Sequence, residues 1–193
     1  PELARKLLRD AGLKPEAGQR YVGVSMRPWH GFEAKASLIA EALDGLYSDH
    51  GLIPVFIPIE ARLDVGAASQ VAACLRHAPY AILSESRQGE QVSALFAQMD
   101  MVLSMRLHAL IFSAVHGVPL VGIVYDPKVS AFLDSVGQDL YAPLAELTTE
   151  SLRAQLEQAA ARRDQRPLLE QKARSLLELE KNNLSAARGL LKS

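Results

Sequence analysis

Apolar, β-branched stretches alternate along this chain with stretches whose apolar residues recur every three or four positions. The first pattern predicts strands and the second predicts helices. Several predicted strands are apolar on both faces, which is typical of strands covered by helices on both sides. Such alternation requires right-handed crossovers and predicts an α/β domain, a doubly wound, Rossmann-like parallel sheet. The predicted strands cover residues 21–27, 52–59, 80–84, 101–106, 120–125 and, weakly, 140–141.

Helical patterns occupy the segments between the strands and all of the carboxyl-terminal part. Four apolar stripes predict helices within 38–46, 92–99, 107–115 and 129–136. After Thr149 only helical patterns follow, with one helix at 150–163 and a longer one from Pro167, because proline is favoured at the first helical position. The longer helix is expected either to pack on the α/β domain or to reach toward a partner domain. Its stripe consists of Leu169, Ala173, Leu176, Leu184, Ala187 and Leu191.

The chain therefore divides into a lead-in or linker helix at 1–20, a Rossmann-like domain at 21–148 and a helical extension at 149–193. Its 193 residues are enough for one domain with a substantial core. The chain opens at Pro1 without a methionine, which suggests a piece of a longer protein.

Composition excludes several classes of protein. A net charge of −1 with both signs mixed along the chain argues against nucleic acid as a partner. Cys74 is the sole cysteine, so no internal disulfide or cysteine-based metal cluster can form, and its apolar helical surroundings predict a buried structural thiol. No apolar stretch approaches the roughly 20 residues of a membrane span and no secretory signal is visible, so a cytoplasmic setting is expected.

Two predicted strands end in the same tripeptide, Ser-Met-Arg. Arg27 closes the first strand and Arg106 closes the fourth. Ligands of open parallel sheets bind beyond the carboxyl ends of the strands, where the first and fourth strands are commonly neighbours. Two converging guanidinium groups there would form a clamp for a small dianion. Alternatively, each arginine caps a local carbonyl or pairs with a carboxylate.

A helix is predicted to begin directly after Arg106, with Leu107 and His108 in its first turn. Free backbone N–H groups at a helix start favour an anion. No glycine-rich dinucleotide or P-loop pattern follows any strand, which argues against those ligands. A histidine at this position fits a bound anion or a neutral imidazole, or it is simply packed at the helix start.

Other polar residues near predicted strand or helix ends are weaker candidates. Lys128, which follows Tyr125-Asp126-Pro127, is a further positive charge or a solvated lysine. The remaining histidines divide into helix-end residues that interact with carbonyls and one loop residue. The helix-end histidines are His50, His77 and His116, the loop histidine is His30, and two carboxylates that close strands are Glu60 and Glu85.

The stretch Val-Leu-Ser-Met-Arg-Leu-His-Ala-Leu-Ile at 102–111 resembles the carboxyl-terminal half of the polysaccharide pyruvyltransferases, among them the cell-surface-anchoring type. Gly-Val-Pro at 117–119 and Tyr-Asp-Pro-Lys at 125–128 belong to the same resemblance. The segment Val-Gly-Val-Ser-Met-Arg-Pro-Trp at 22–29 is similar to the start of that half. The resemblance extends from about residue 20 to about residue 145.

This resemblance implies one half of a two-domain, GT-B-like transferase whose amino-terminal domain, with much of the acceptor site, is missing from this chain. Family members transfer pyruvate from phosphoenolpyruvate to a sugar of a cell-wall polysaccharide as a cyclic ketal. The resemblance implies a glycan or lipid-linked sugar as acceptor, and a cytoplasmic site at the inner membrane surface is expected. No cofactor is expected, and no metal, since no carboxylate or histidine pair has the spacing of metal ligands. The family's phosphoenolpyruvate contacts correspond to Arg106, Leu107 and His108, with Arg27 as the matching arginine. Our mechanistic hypothesis makes His108 the general acid–base and Arg106 the second catalytic residue. The substrate-binding candidates are Arg27, Ser104, Arg106, Leu107, His108, Tyr125 and Lys128.

Two other functions remain open from the residues. A GT-B-like nucleotide-sugar glycosyltransferase or epimerase would also present basic groups at the strand tips, and binding of a UDP-sugar would select it. A non-catalytic regulatory or scaffolding domain would use the carboxyl-terminal helices as its interaction surface. A Ser-His-Asp site built on Ser25 or Ser104 has no G-x-S-x-G elbow to support it.

Overall fold

The computed structural model describes residues 2–190, with side chains described for 2–162 and 164–179. The strands are β1 (Arg20–Ser25), β2 (Leu52–Phe56), β3 (Ala81–Ile82), β4 (Met101–Ser104), β5 (Leu120–Val124) and β6 (Tyr141–Pro143). The helices are α1 (Glu2–Asp10), α2 (Ala36–His50), α3 (Ala61–Ala72), α4 (Gly89–Phe96), α5 (Leu107–Ala114), α6 (Pro127–Ser135), α7 (Thr149–Ala161) and α8 (Arg166–Leu190).

The six strands form one parallel sheet in the order β3-β2-β1-β4-β5-β6. This order confirms the doubly wound, Rossmann-like prediction. From β1 the sheet extends to one side through β2 and β3, and to the other side through β4, β5 and β6. The switch point therefore lies between β1 and β4, which are hydrogen-bonded neighbours with Ser25 opposite Ser104. The first five strands end earlier than the apolar pattern predicted, so Arg27, Arg106 and Tyr125 lie in the loops beyond the sheet, whereas β6 ends two residues later than predicted.

Each face of the sheet is covered by its own hydrophobic core. One core joins the sheet to α2, α3 and α7, and the other joins it to α1, α4, α5, α6 and α8. Alternate residues of β1 supply the two sides, since Val22 and Val24 belong to the first core and Tyr21 to the second. Burial on both faces explains why the strands lack a polar alternation.

The helices at the two ends of the chain share these cores. Leu8 of α1 is fully buried in the second core, and Leu156 of α7 is buried against α2 in the first. Leu169 and Ala173 anchor the start of α8 in the second core. In the predicted α8 stripe, the side chains of Leu184 and Ala187, and the whole of Leu191, lie outside the described residues. Among the described residues, no helix combines the length and apolarity that a membrane crossing needs.

The segment after α3 differs from the prediction. His77 was expected in a helical last turn, but α3 ends at Ala72 and His77 lies in the following loop. The reason is Asp44, whose buried carboxylate accepts backbone N–H groups of Arg76, His77 and Ala78 at 2.8–3.0 Å. Burial raises the pKa of Asp44, but these three hydrogen bonds outweigh it and leave the pKa below its ordinary value.

Two other residues also depart from their expected surroundings. Cys74 follows α3 and is only partly buried, packing against the first core, because the helix that would have covered it has already ended. His50 does end α2, as predicted, before Gly51. Its ring contacts a carboxylate of α7 instead of a carbonyl, with Nε2 2.6 Å from Glu157. The helix pair α2–α7 brings that carboxylate within reach.

Candidate functional site

The tips of β1 and β4 are tied together at the switch point. Ser25 and Ser104 are opposite each other in register, and the amide of Met105 donates to the carbonyl of Ser25 at 2.9 Å. The buried hydroxyl of Ser104 accepts the amide of Arg106 at 2.9 Å. Arg27 and Arg106 each follow their serine by two residues, so both arginines begin at the same edge of the sheet, as the sequence predicted.

Helix α5 starts at this edge with Arg106 as its N-cap residue. Its first internal hydrogen bond runs from the amide of Leu110 to the carbonyl of Arg106. The amides of residues 107–109 therefore have no acceptor within the helix and are available to an anion. His108 is exposed in this first turn, and its ring centroid lies 6.4 Å from that of Phe112, one turn later.

Arg27 lies against two aromatic rings that also contact each other, the centroids of Trp29 and Tyr125 being 4.7 Å apart. Its guanidinium carbon is 5.0 Å from the ring centroid of Trp29 and 4.8 Å from that of Tyr125, and its Nη1 donates to the Tyr125 hydroxyl at 2.8 Å. Cation–π contacts of this kind restrain a guanidinium without neutralising it. Among the described residues, none accepts a hydrogen bond from the buried Nε–H of Arg27. One donating edge of this cation is therefore open.

Arg106 has a different partner. Its Nε lies 3.0 Å and 3.1 Å from the two carboxylate oxygens of Asp64, and its Nη2 also contacts that carboxylate. Glu60 is more distant, with its carboxylate 3.7 Å from Nη2. Arg106 thus adopts the carboxylate pairing that the sequence left open as an alternative, whereas Arg27 pairs with aromatic rings.

Asp64 is the site residue that sequence reasoning missed. It lies on α3, a helix without a predicted apolar stripe because alanines fill most of its inward positions. The side chain of Asp64 is 1% exposed and also accepts the amides of Ile59 and Glu60 at 3.0 Å and 2.9 Å. A carboxylate at an inward position of an otherwise apolar helix face was the available signal.

Tyr125 and Lys128 flank Arg27 on the β5–α6 side of the edge. The ammonium of Lys128 lies 6.0 Å from the Tyr125 ring centroid and 3.4 Å from Asp126. Asp126 caps α6 by accepting the amide of Lys128, and this hydrogen bond is the first cause of its lowered pKa. The predicted residues thus form two groups, Arg27 with Tyr125 and Lys128, and Arg106 with Leu107 and His108.

The weaker candidates lie apart from one another. His30 is exposed in the loop after β1, and Glu85 forms an ion pair with Arg87 in the loop before α4. His116 lies just beyond α5, where its Nε2 is 3.0 Å from the Ser93 hydroxyl. In the part of the chain that the structure describes, no cluster of three histidine, cysteine or carboxylate side chains has an arrangement that could hold a metal ion.

A family model for polysaccharide pyruvyl transferase matches residues 3–127, well over half of the chain. The chain belongs to the polysaccharide pyruvyl transferase family. The match includes α1 and so begins earlier than the resemblance at residue 20. It covers both Ser-Met-Arg tripeptides, the start of α5 and Tyr125, and it stops one residue before Lys128. A search of curated proteins gave no match.

Solved structures similar to this chain belong to enzymes of sugar metabolism. Escherichia coli ADP-heptose lipopolysaccharide heptosyltransferase II has 17% identity and a TM-score of 0.63, over 84% of this chain and 52% of that one. The UDP-GlcNAc 2-epimerase of Neisseria meningitidis has 8% identity and a TM-score of 0.62, over 94% and 49%. The carboxyl-terminal CMP-Kdo-binding domain of WaaA from Acinetobacter baumannii has 13% identity and a TM-score of 0.60, over 91% and 96%.

These likenesses establish the fold. They confirm a Rossmann-like α/β domain that resembles one half of a GT-B-type glycosyltransferase. The chain spans about half the length of the heptosyltransferase and the epimerase, and nearly all of the separate carboxyl-terminal domain. The family membership itself rests on the match over residues 3–127.

Proposed function

We propose that this chain is the donor-binding part of an enzyme that transfers pyruvate from phosphoenolpyruvate to a sugar of a cell-wall polysaccharide. The observation that carries the proposal is the adjacency of β1 and β4, which brings Arg27, Arg106 and the start of α5 to one edge of the sheet. Phosphoenolpyruvate carries a carboxylate and a phosphate, and these are the groups that guanidinium forks and helix N-termini bind best.

The two arginines suggest an orientation for this donor. Arg27 offers an Nε–H that no described residue uses, and a side-on guanidinium edge matches a carboxylate. The open amides of residues 107–109 and the remaining Nη1 donors of Arg106 suit the phosphate. In this arrangement the enol carbons lie between the two groups, near the exposed ring of His108.

The reaction adds one sugar hydroxyl oxygen to C2 of phosphoenolpyruvate while C3 gains a proton and becomes a methyl group. The C2–O bond to phosphate then breaks, and a second hydroxyl of the same sugar adds to C2 to close the ketal. Two hydroxyl protons are released, one matching the proton gained at C3 and one leaving with inorganic phosphate. We assign the proton transfers to His108 and stabilisation of the departing phosphate to Arg27 and Arg106.

The acceptor side of the proposal rests on parts beyond this chain. Since the chain spans about half of the heptosyltransferase and epimerase structures, we propose that a second domain completes the sugar site. A glycan or lipid-linked sugar handled at the cytoplasmic surface of the inner membrane, as in the cell-surface-anchoring type, is the proposed acceptor. On this proposal the chain alone binds the donor without turning it over.

The test is calorimetric titration of this chain with phosphoenolpyruvate, with inorganic phosphate and UDP-GlcNAc as comparators. We expect saturable binding of phosphoenolpyruvate, tighter than that of phosphate, and binding about 10- to 100-fold weaker in Arg27→Ala and in Arg106→Ala. Arg20→Ala is the matched control, because Arg20 occupies the opposite end of β1, where it pairs with Asp100. Phosphoenolpyruvate binding of wild-type affinity in both variants would refute the proposal.

A nucleotide-sugar transferase or epimerase is the second candidate, favoured by the bound or named nucleotide sugars of the similar structures. The family match over residues 3–127 weighs against it. In the same titration, UDP-GlcNAc binding without phosphoenolpyruvate binding would select this candidate.

A further inference from the structure

Asp64 is a buried carboxylate at the carboxyl edge of the sheet that accepts hydrogen bonds from four donor groups of three residues. It accepts the amides of Ile59 and Glu60, which follow β2, and it pairs with the Nε and Nη2 of Arg106, which follows β4. Since β1 lies between β2 and β4, this carboxylate bridges the loops on either side of the β1 tip. No charge elsewhere in the described part of the chain is buried as deeply, since Asp64 is 0% exposed.

This bridge determines which donors of Arg106 remain available. The Nε–Nη2 edge, which forms the usual bidentate fork, faces Asp64. Among the described residues, none forms a hydrogen bond with the Nη1 group, which is the donor left for a ligand. The side chain of Arg106 is 14% exposed, so the guanidinium has little room to choose another orientation while Asp64 is charged.

We infer that Asp64 is the positioning residue of the donor site, acting through Arg106 and not on the ligand. The inference rests on the proposed function, because it assumes that an anion binds at this edge. An asparagine at position 64 would keep the size of the side chain but replace one acceptor with an NH₂ donor that opposes the guanidinium. Arg106 would then turn toward Glu60, its next carboxylate at 3.7 Å.

Glu60 is a second carboxylate near Arg106, and its removal should not weaken anion binding as the removal of the Asp64 charge should. Its side chain is 58% exposed and makes no direct hydrogen bond to Arg106 at 3.7 Å, so its charge opposes an anion without orienting the guanidinium. Glu60→Gln therefore removes a repulsion, and it is expected to leave phosphoenolpyruvate binding unchanged or to tighten it. If a carboxylate near Arg106 mattered only through its charge, Asp64→Asn and Glu60→Gln would change binding in the same direction.

The experiment compares Asp64→Asn with Asp44→Asn in this chain. Asp44 is a matched control because it is also buried and also accepts backbone amides, but those amides belong to the loop after α3. We expect both variants to lower stability, and only Asp64→Asn to raise the Kd for phosphoenolpyruvate, by about tenfold. A Kd that is unchanged or lower in Asp64→Asn would overturn the inference.

A double-mutant cycle separates positioning from a general structural effect. If Asp64 acts through Arg106, Asp64→Asn has no further effect on anion binding once Arg106 is alanine. Equal effects of Asp64→Asn in both backgrounds would overturn the inference. The cycle is also measured with inorganic phosphate, so it can be read even if phosphoenolpyruvate binds no tighter than phosphate. Phosphoenolpyruvate binding that is no tighter than phosphate binding would refute pyruvyl donation alone. A wild-type chain that binds neither anion would refute both the proposed function and the role of Asp64.

Discussion

Gly117→Ala tests whether the turn after α5 contacts the start of α8 as the structure has it. Gly117 has a φ of +65°, and a Cβ at this position would lie 3.0 Å from the backbone carbonyl carbon of Arg166 and closer still to its oxygen. Backbone atoms cannot give way as a flexible side chain can. Gly51 is the matched control, since its φ is +67° and a Cβ there meets nothing within 4 Å.

Two causes of lost stability can be separated with this pair of variants: the left-handed backbone conformation and the contact with the Arg166 backbone. A left-handed alanine costs about 1–2 kcal/mol at either position. Contact with the Arg166 backbone adds about 1–3 kcal/mol at Gly117 only, by analogy with overpacked cores. The expected loss is therefore about 2–5 kcal/mol for Gly117→Ala and about 1–2 kcal/mol for Gly51→Ala. For a chain of this size, each kcal/mol lowers the melting temperature by about 2–4 °C.

The assay is urea and thermal unfolding followed by circular dichroism, with both variants measured beside the wild type. The reasoning requires Gly117→Ala to be the less stable of the two. Equal losses, within about 0.5 kcal/mol, would show that α8 does not begin against this turn.

Three further predictions address the site, the pH dependence and the carboxyl-terminal helices. Trp29→Ala removes one ring from Arg27 and should weaken phosphoenolpyruvate binding about 2- to 10-fold, from a cation–π contact of about 0.5–1.4 kcal/mol, whereas Trp29→Phe should stay close to wild type in the same titration. Burial, and after it the charge of Arg174, lowers the pKa of His116 in the folded chain below the ordinary value of 6.5. As the pH falls below 6.5, the imidazole is protonated in the unfolded chain before it is protonated in the folded one, so the free energy of unfolding decreases. His116→Asn should therefore flatten the fall of the urea midpoint between pH 7 and pH 5, and an unchanged slope would contradict the assignment. Leu156→Ala should cost about 2–5 kcal/mol, because α7 packs its fully buried side chain into the first core, and a loss below 1 kcal/mol would mean that α7 does not complete that core.

The edge of the sheet that carries the candidate site could be predicted from sequence for a definite reason. Side chains that follow parallel strands all lie at one edge, so two Ser-Met-Arg endings on neighbouring strands have to meet there. The parallel direction of the strands in turn followed from the helical segments between them. These are local patterns that a single chain displays along its length.

The partners of the two arginines could not be predicted in the same way. Arg106 and Asp64 are 42 positions apart, and Arg27 and Tyr125 are 98 apart, so no spacing rule connects them. Asp64 was missed for a related reason, because the inward positions of α3 are small or polar and give no apolar stripe that would mark its buried face. His77 was assigned to a helix end for lack of any local sign that Asp44 would bind the loop.

The sequence by itself determined the fold class, the two apolar faces of the sheet and the edge where the two arginines lie, because periodicity and strand endings are properties of short segments. Only the tertiary structure decided that Asp64 binds one arginine while Trp29 and Tyr125 contact the other. The physical reason is that a guanidinium takes whichever acceptor or aromatic face the packing of distant elements brings within a few ångströms, and that choice is made only when β2, α3 and β5 have docked around β1 and β4.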